Sequence, residues 1–545
     1  MKSSLLKISK IAALFVAVGF TCFQTLTAQQ GRINPDTLKK YILTPPPKET
    51  PRINGAKVFG VRPGSVFFYT IPATGKRPMT FSAVNLPKGL KLDAQTGRIT
   101  GSVKKAGTYR VSLKATNALG NDEREFRIIA GDQIGLTPAM GWNSWNCWGE
   151  AIDREKVLAA AKAMVETDLI NHGWSYINID DGWQAIRGGK YNGIQPNKKF
   201  PDMKGLFDQV HGMGLRIGIY SGPWVGTYAG FVGSYSDNPD GTSDWINEPG
   251  TVDEHYRYIK PNANGRRGHG VNYHHGKYSF VKNDVRQWMD WGIDYLKYDW
   301  NPNDYYHVKE MHDALREQKR DVLFSMSNSG PYGDAMMFEK YANVWRTTGD
   351  IRDNWDRIKS LGFSQTKWAP FVGPGHFADP DMLVVGYVGW GPNLHYTALT
   401  PDQQYTHISL WSMLCSPLLL GCDLSRLDEF TLSLLTNDEV IEVNQDPLGK
   451  MAMPIIDRDG YIVYQKPLED GSVAMGIFNL NDHKIEVTVT WSNLGIRGTQ
   501  KVRDLWRQQD IAESDREFKT AVNPHGVVLV RIYPGNSRIQ ATSGR

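Results

Sequence analysis

Four carboxylate clusters follow short apolar runs in this 545-residue chain. Ile177-Asn178-Ile179 leads into Asp180-Asp181-Gly182-Trp183, and Tyr295-Leu296-Lys297-Tyr298 leads into Asp299-Trp300-Asn301. Val344-Trp345-Arg346 precedes Asp350 and Asp353, and the stretch Gly373-Pro374-Gly375-His376-Phe377-Ala378 precedes Asp379-Pro380-Asp381-Met382. An apolar strand ending in a carboxylate beside aromatics sets a charge at a mouth with partly desolvated walls, where it must be paired, hydrated or used. Any one such Asp reads first as a helix N-cap, because loops that enter helices commonly end in Asp. Asp353 and Asp379 are read as caps or as supports for other residues. Four clusters on one face exceed what capping needs. Two carboxylates across a cleft are what glycoside hydrolysis requires: one attacks or guides the anomeric carbon, and the other protonates the leaving oxygen and then activates water.

Other chemistries lack their residues. None of the four clusters carries an HxH or HxxxH pair, and His269, His274 and His275 fall in a long polar loop. They read as solvated or substrate-contacting rather than as zinc ligands. No GxSxG elbow, P-loop or helix-opening GxGxxG is present. Neither a metal nor an organic cofactor is expected. The net charge is +5, or +2 without Lys2, Lys7 and Lys10, too little for a nucleic-acid footprint. The 17 Trp and 24 Tyr suit surfaces that stack on flat apolar faces such as sugar rings, although most are expected in cores.

The elements that must position these carboxylates alternate along residues 135–450. Strand candidates are Met140 to Trp142, Tyr176 to Ile179, Arg216 to Tyr220, Tyr295 to Tyr298, Val322 to Met326, Val344 to Arg346, Phe371 to Val372 and Leu418 to Leu420. Helix candidates include Arg154 to Glu166, Met203 to His211, Val281 to Trp291, His307 to Gln318 and Trp355 to Leu361. Eight βα units of this size predict a (β/α)8 TIM barrel, whose active face lies at the C-terminal strand ends. A doubly wound sheet is disfavoured because no Gly-rich phosphate loop follows the first strand. The insertion between Ser221 and Tyr278 follows the third strand and is therefore expected on that face.

Residues 55–132 alternate apolar and polar in short runs punctuated by turns, which predicts a small β-sandwich. Alternation returns at 451–535 as a C-terminal antiparallel β-sandwich. The Pro-rich stretch 29–54 reads as an extended spacer. Residues 1–28 have the layout of a signal peptide, with Lys2, Lys7 and Lys10 before the apolar run Ile11 to Phe20 and cleavage near Ala28. That run is too short to anchor in a bilayer. An exported protein, periplasmic or at the cell surface or secreted, with no transmembrane segment after signal removal, is expected. Cys22 leaves a lipoprotein open. Cys147, Cys415 and Cys422 form no disulfide framework, and Cys415 and Cys422 read as buried thiols.

The chain resembles the melibiase-type α-galactosidases of glycoside hydrolase family 27 over about residues 135–535. The resemblance rests on Thr137-Pro138-Ala139-Met140-Gly141-Trp142-Asn143-Ser144-Trp145, Asp180-Asp181-Gly182-Trp183, Lys297-Tyr298-Asp299, Arg346 with Gly349-Asp350-Ile351, and Gly373-Pro374-Gly375 with Asp379-Pro380-Asp381-Met382. Leu86 to Asp93 with Thr96 to Gly101 resembles the immunoglobulin-like repeats beside bacterial carbohydrate-active domains. The family resemblance implies a retaining hydrolase that releases terminal α-linked galactose from an oligosaccharide, polysaccharide or glycoconjugate, without a cofactor. It implies Asp299 as nucleophile and Asp350 as acid/base. It also implies Asp180 and Asp181 on the sugar's 4- and 6-hydroxyls, Lys297 on a hydroxyl near the nucleophile, Arg346 at the 2-hydroxyl side, and Trp145, Tyr220 and Asp381 lining the pocket. Ser327 lies in the loop that reads the 2-substituent. Lys297 precedes Asp299 by two, so on a strand both point to one side, where the cation favours the ionised nucleophile. Asp350 must start protonated, which calls for a less solvated or more negative setting.

Where family members commonly carry Cys, this chain has Gly182 and Trp300-Asn301, and Ser325 to Gly330 lacks the bulky acidic residue of many eukaryotic relatives. Two sibling activities stay open, β-L-arabinopyranosidase and α-N-acetylgalactosaminidase. A carbohydrate-binding or adhesion protein that kept the barrel without chemistry would lack a catalytic carboxylate, and both are present.

Overall fold

A computed structural model describes residues 34–243 and 273–534. The expected signal peptide, His269 and the last residues of the chain lie outside the described residues.

Eight parallel strands form the central sheet: β1 (Met140–Asn143), β2 (Tyr176–Asn178), β3 (Arg216–Ser221), β4 (Tyr295–Asp299), β5 (Leu323–Ser327), β6 (Val344–Arg346), β7 (Phe377–Asp379) and β8 (Leu418–Leu420). They pair in the order β7-β6-β5-β4-β3-β2-β1-β8. A bridge between Leu383 and Leu420 joins the segment after β7 to β8 and closes the ring. Each strand is followed by a helix: α1 (Arg154–Glu166), α2 (Met203–Gly212), α3 (Val281–Trp291), α4 (Tyr305–Arg316), α5 (Ala335–Tyr341), α6 (Trp355–Gly362), α7 (Pro401–Met413) and α8 (Glu429–Leu435). The fold is the TIM barrel that the strand and helix spacing predicts.

Local chemistry explains the helices. α1 starts where the Asp153 side chain accepts the Lys156 N–H, and it buries Val157, Ala160, Ala161 and Met164 at helical spacing. α3 buries Val281, Val285 and Trp288 in the same way. Each fully buried aliphatic side chain contributes about 1.5 to 3 kcal/mol. On β4 the period of two sends Leu296 and Tyr298 outward into the helix layer, while Tyr295 joins Ala139, Tyr176, Leu323 and Leu419 in an apolar plug inside the barrel. Lys297 and Asp299 sit above that plug on the same side of the strand.

The seventh strand differs from expectation. Phe371 ends a 3-10 helix, Gln365–Phe371, that contains Pro370, and the strand is Phe377–Asp379, paired Val344↔Phe377 and Arg346↔Asp379. Pro370 and Gly373-Pro374-Gly375 keep the apolar pair Phe371-Val372 out of the ladder, since proline withholds the N–H that pairing uses.

The N-terminal module is a sandwich of a four-stranded and a three-stranded sheet around Phe67, Ile99, Val111, Leu113, Phe126 and Ile128. It docks on the N-terminal face of the barrel. Arg62 pairs with Asp321 and donates to the carbonyls of Arg316, Gln318 and Arg320, while Thr70 donates to the Gly214 carbonyl just before β3. That face is opposite the ends of the strands that carry the carboxylates. Residues 34–51 are no free spacer. Pro35–Tyr41 is a 3-10 helix with Leu38 buried, and Tyr405 of α7 accepts the Leu43 N–H and donates to the Tyr41 carbonyl. Those apolar and carbonyl groups find partners on the barrel wall, which orders the segment. At the other end, a six-stranded antiparallel sheet and a two-stranded one pack around Val463, Ile477, Val489, Val502 and Val530. Cys147, Cys415 and Cys422 are free and buried. No described helix is long and apolar enough to cross a membrane.

Candidate active site

The expected site residues gather at the C-terminal ends of the strands. The ladder itself sets them side by side: Tyr220 of β3 is in register with Lys297 of β4, and Asp299 is in register with Ser327 of β5. Lys297 Nζ lies 2.9 Å from Asp180 Oδ2 and 5.3 Å from the centre of the Tyr220 ring. Asn143 Nδ2 donates to the same Asp180 oxygen at 2.8 Å, and Ser144 Oγ accepts the Asp180 N–H at 2.9 Å. Asn143 and Ser144 therefore hold Asp180 in place. Sequence reasoning quoted both within a motif and gave them no role.

Asp299, only 8% exposed, accepts one hydrogen bond among the described residues, from Tyr220 Oη to Oδ2 at 3.0 Å. Burial raises its pKa and the Lys297 and Arg346 cations oppose the rise, leaving it at about 6. Lys297 stays charged: burial works against its ammonium, but Asp180 and Asp299 outweigh it and lift the pKa to about 12.

A second cluster is built at the end of β6. Arg346, buried at the end of β6, donates from Nη2 to Asp350 Oδ1 at 2.7 Å, and its Nη1 lies 3.2 Å from Asp381 Oδ1. Asp381 also accepts the Ile351 and Met382 N–H groups, each at 2.8 Å. The Asp350 side chain is 56% exposed. Its partial burial pushes the pKa up, but Arg346 outweighs that and holds the carboxyl below its ordinary value. The protonated setting expected for Asp350 is therefore not supplied by the protein's own groups, because the charged group bonded to it is a guanidinium.

The two clusters share one space. Arg346 acts on the Asp299 carboxyl, and Lys297 acts on that of Asp350. Tyr228, from the insertion after β3, has its pKa raised by burial first and then by both Asp299 and Asp350. It packs edge-on against Trp224 and Tyr273. Sequence reasoning missed Tyr228; its only signal was its place in a long loop on the active face. The neighbouring Ala229 N–H donates to Asp181 Oδ2 at 2.8 Å, and Trp145 packs against Ala185, Ala229 and Phe231.

Asp181 is pushed up to about 7 by burial, with Asp180 and Asp299 adding to the Ala229- and Thr227-opposed shift. Asp379 is likewise raised to about 7 by burial and by Asp381. It is not a helix cap but the inward end of β7, where it accepts the Asp381 N–H at 2.8 Å. Asp353 is not a cap either. Asn354 caps α6, while Asp353 contacts His395 and accepts the Ala398 N–H.

Among the described residues, three buried oxygens around this space have no hydrogen-bond partner: Asp181 Oδ1, Asp299 Oδ1 and Ser327 Oγ. Buried polar atoms cost free energy unless paired, so a wall with three of them suits a ligand rich in hydroxyls. Such a site can bind a sugar ring, present a carboxylate oxygen to it and exchange a proton from the exposed side.

Comparison with known proteins gives the family. The family model described as Alpha galactosidase A matches residues 137–248 and 264–446. The Alpha galactosidase C-terminal beta sandwich domain matches 458–532, and an Ig domain matches 50–130. An alpha-galactosidase of Cyamopsis tetragonoloba is 33% identical over 416 residues, which are 75% of this chain and 89% of the relative. A crystal structure from Bacteroides fragilis superposes with a TM-score of 0.77 at 33% identity, covering 91% of this chain and 100% of that one. A family 27 β-L-arabinopyranosidase from Geobacillus stearothermophilus, solved as a variant with arabinose, gives 0.62 at 27% identity over 73% of this chain and 98% of its own. The chain belongs to glycoside hydrolase family 27, the alpha-galactosidase family of carbohydrate-cleaving hydrolases.

Proposed function

We propose that the protein is a retaining exo-α-galactosidase in which Asp299 is the nucleophile and Asp350 the acid/base. The observation that carries this reading is the pairing of a buried carboxylate, one oxygen held by Tyr220 and the other unpartnered, with a half-exposed carboxylate on Arg346 across the same space. In the first step Asp299 Oδ1 bonds to the anomeric carbon as the glycosidic C–O bond breaks, and Asp350 passes its proton to the departing oxygen. In the second, water attacks the same carbon, Asp350 takes the water's proton, and the Asp299 ester bond breaks. Two inversions give net retention.

The proton that Asp350 needs comes with substrate. A sugar seated over Asp350 removes water from its exposed side and weakens the charged form, which raises its pKa toward the working range. Asp181 Oδ1 favours galactose over the pentose arabinopyranose, because a buried acceptor that meets no 6-hydroxyl stays unpaired. Ser327, in register with Asp299 and carrying an unpartnered hydroxyl, is the group placed to pair with the sugar's 2-substituent. The N-terminal signal layout supports export of the mature chain, checked by N-terminal sequencing of the secreted or periplasmic form.

The test compares aryl α-galactoside, aryl β-L-arabinopyranoside and aryl α-N-acetylgalactosaminide on the parent and on Asp299→Asn and Asp350→Asn. The galactoside is expected to be fastest and both variants to lose most turnover while staying folded. Parent-like rates in either variant overturn the assignment.

A further inference from the structure

Three side chains from two separate segments converge where the insertion after β3 returns to the barrel. His275, on that returning segment, stacks on His307 of α4 with ring centroids 3.6 Å apart and planes 13° from parallel. Asp304, the N-cap of α4, faces both rings. Its two oxygens lie 2.8 and 2.7 Å from His307 Nδ1, and Oδ2 lies 3.8 Å from His275 Nε2. One ring nitrogen from each histidine and one Asp304 oxygen fall within 4.8 Å of one another. His307 is 11% exposed, and Tyr235 sets its ring edge-on to both imidazoles.

None of the three has a part in the sugar chemistry. The His275 ring also hydrogen-bonds the backbone of Pro223, which has only a carbonyl to offer. One His275 nitrogen is therefore a donor, and in the neutral ring the other is an acceptor. An acceptor nitrogen, a second imidazole and a carboxylate gathered this closely form a donor set for a cation.

We propose that His275, His307 and Asp304 bind one divalent cation of the zinc class, with the fourth position left to water. Two imidazole nitrogens and one carboxylate oxygen suit a borderline ion such as zinc, held about 2.0 to 2.2 Å from each donor, whereas calcium and magnesium prefer all-oxygen sets. Donors about 2.0 to 2.1 Å from a tetrahedral ion lie roughly 3.3 Å apart, so binding requires the His275 ring, on its partly exposed loop, to turn out of the stack and Asp304 to part from His307 Nδ1, while all three donors start within 4.8 Å of one another. Asp304 is already oriented by Trp300 Nε1 at 3.2 Å and by the His307 N–H at 3.1 Å, the kind of outer hydrogen bonds that metal-ligating carboxylates keep. Trp300 directly follows Asp299, so the ion would clasp the insertion to the nucleophile's strand without touching the sugar. This site stands or falls independently of the roles given to Asp299 and Asp350.

The test uses tag-free, full-chain protein stripped with a chelator and titrated calorimetrically with zinc chloride, with nickel and calcium chlorides alongside. One saturable zinc per chain is expected, with nickel following and calcium giving no binding heat. His275→Ala, in a partly exposed loop, and His307→Ala should each weaken zinc binding at least about 10-fold. Both should remove the zinc-induced rise in Tm, and metal-free turnover of the aryl α-galactoside by His275→Ala should match the parent. Absence of saturable zinc binding in the parent overturns the proposal. So does unchanged stoichiometry and affinity in the His275→Ala, His307→Ala double variant, which would put the ion elsewhere.

Discussion

Tyr220→Phe deletes one hydroxyl from the wall of the site and leaves the ring over which Lys297 lies. That hydroxyl supplies the hydrogen bond to Asp299 Oδ2, while Oδ1 has no partner among the described residues. A hydrogen bond to a buried ionised group is worth about 1.5 to 3 kcal/mol, and one pKa unit corresponds to about 1.4 kcal/mol. Since the phenol stabilises only the carboxylate form, Asp299 should rise from about 6 by about one to two units. Arg346 holds Asp350 low. In the free protein, the form that reacts, with Asp299 ionised and Asp350 protonated, is then a minor state of the singly protonated pair. That state is lost on the alkaline side when the pair gives up its last proton. kcat/KM for an aryl α-galactoside should therefore fall above about pH 6 in the parent and above about pH 7 to 8 in the variant, with a maximum about 10- to 100-fold lower. Full pH profiles of both proteins, with circular dichroism to show an intact fold, measure this. An alkaline limb that stays in place or moves toward acid refutes the view that Tyr220 stabilises the charge on Asp299.

Asp181→Ala removes the unpartnered oxygen assigned to the 6-hydroxyl, so kcat/KM should fall about 100-fold for the galactoside and about 10-fold or less for the arabinopyranoside; equal losses count against that contact. Asp299 binds a proton more tightly folded than unfolded, about 6 against 3.8, so its ionisation costs stability that is fully lost above about pH 6 and regained below about pH 4. Asp299→Asn should accordingly unfold at a higher temperature than the parent at pH 8, by up to about 3 kcal/mol of stability, and converge with it near pH 4 in differential scanning calorimetry. Arg187 (2% exposed) forms a two-pronged pair with the fully buried Asp284 of α3 and donates to the Gly233 carbonyl. Arg187→Met leaves that carboxylate unpaired and should cost about 3 to 5 kcal/mol in urea unfolding, whereas a cost within about 0.5 kcal/mol would place the pair among interactions that contribute nothing.

The barrel and the identity of its carboxylates were legible in the sequence wherever the signal was local. Eight apolar runs alternating with helical periods mark the strands, and the Lys297-Tyr298-Asp299 spacing puts two charges on one side of a strand. The seventh strand was misread because Phe371-Val372 has the composition of a strand and the three-residue Phe377–Asp379 does not, yet proline and glycine around the first forbid the ladder. The segment 34–51 has the composition of a spacer, and the partners it meets on α7, on α8 and on the chain around Asn437 order it.

Residue type and period two were enough to say which carboxylates stand at strand ends, since both act between neighbours in the chain. Only the folded molecule decided that Arg346 holds the Asp350 carboxyl low, that Tyr228 comes near enough to both acids to feel their charge, and that His275 meets His307. Charge and proton affinity depend on distance through space and on removal of water, and both are set by residues that lie far apart in the sequence.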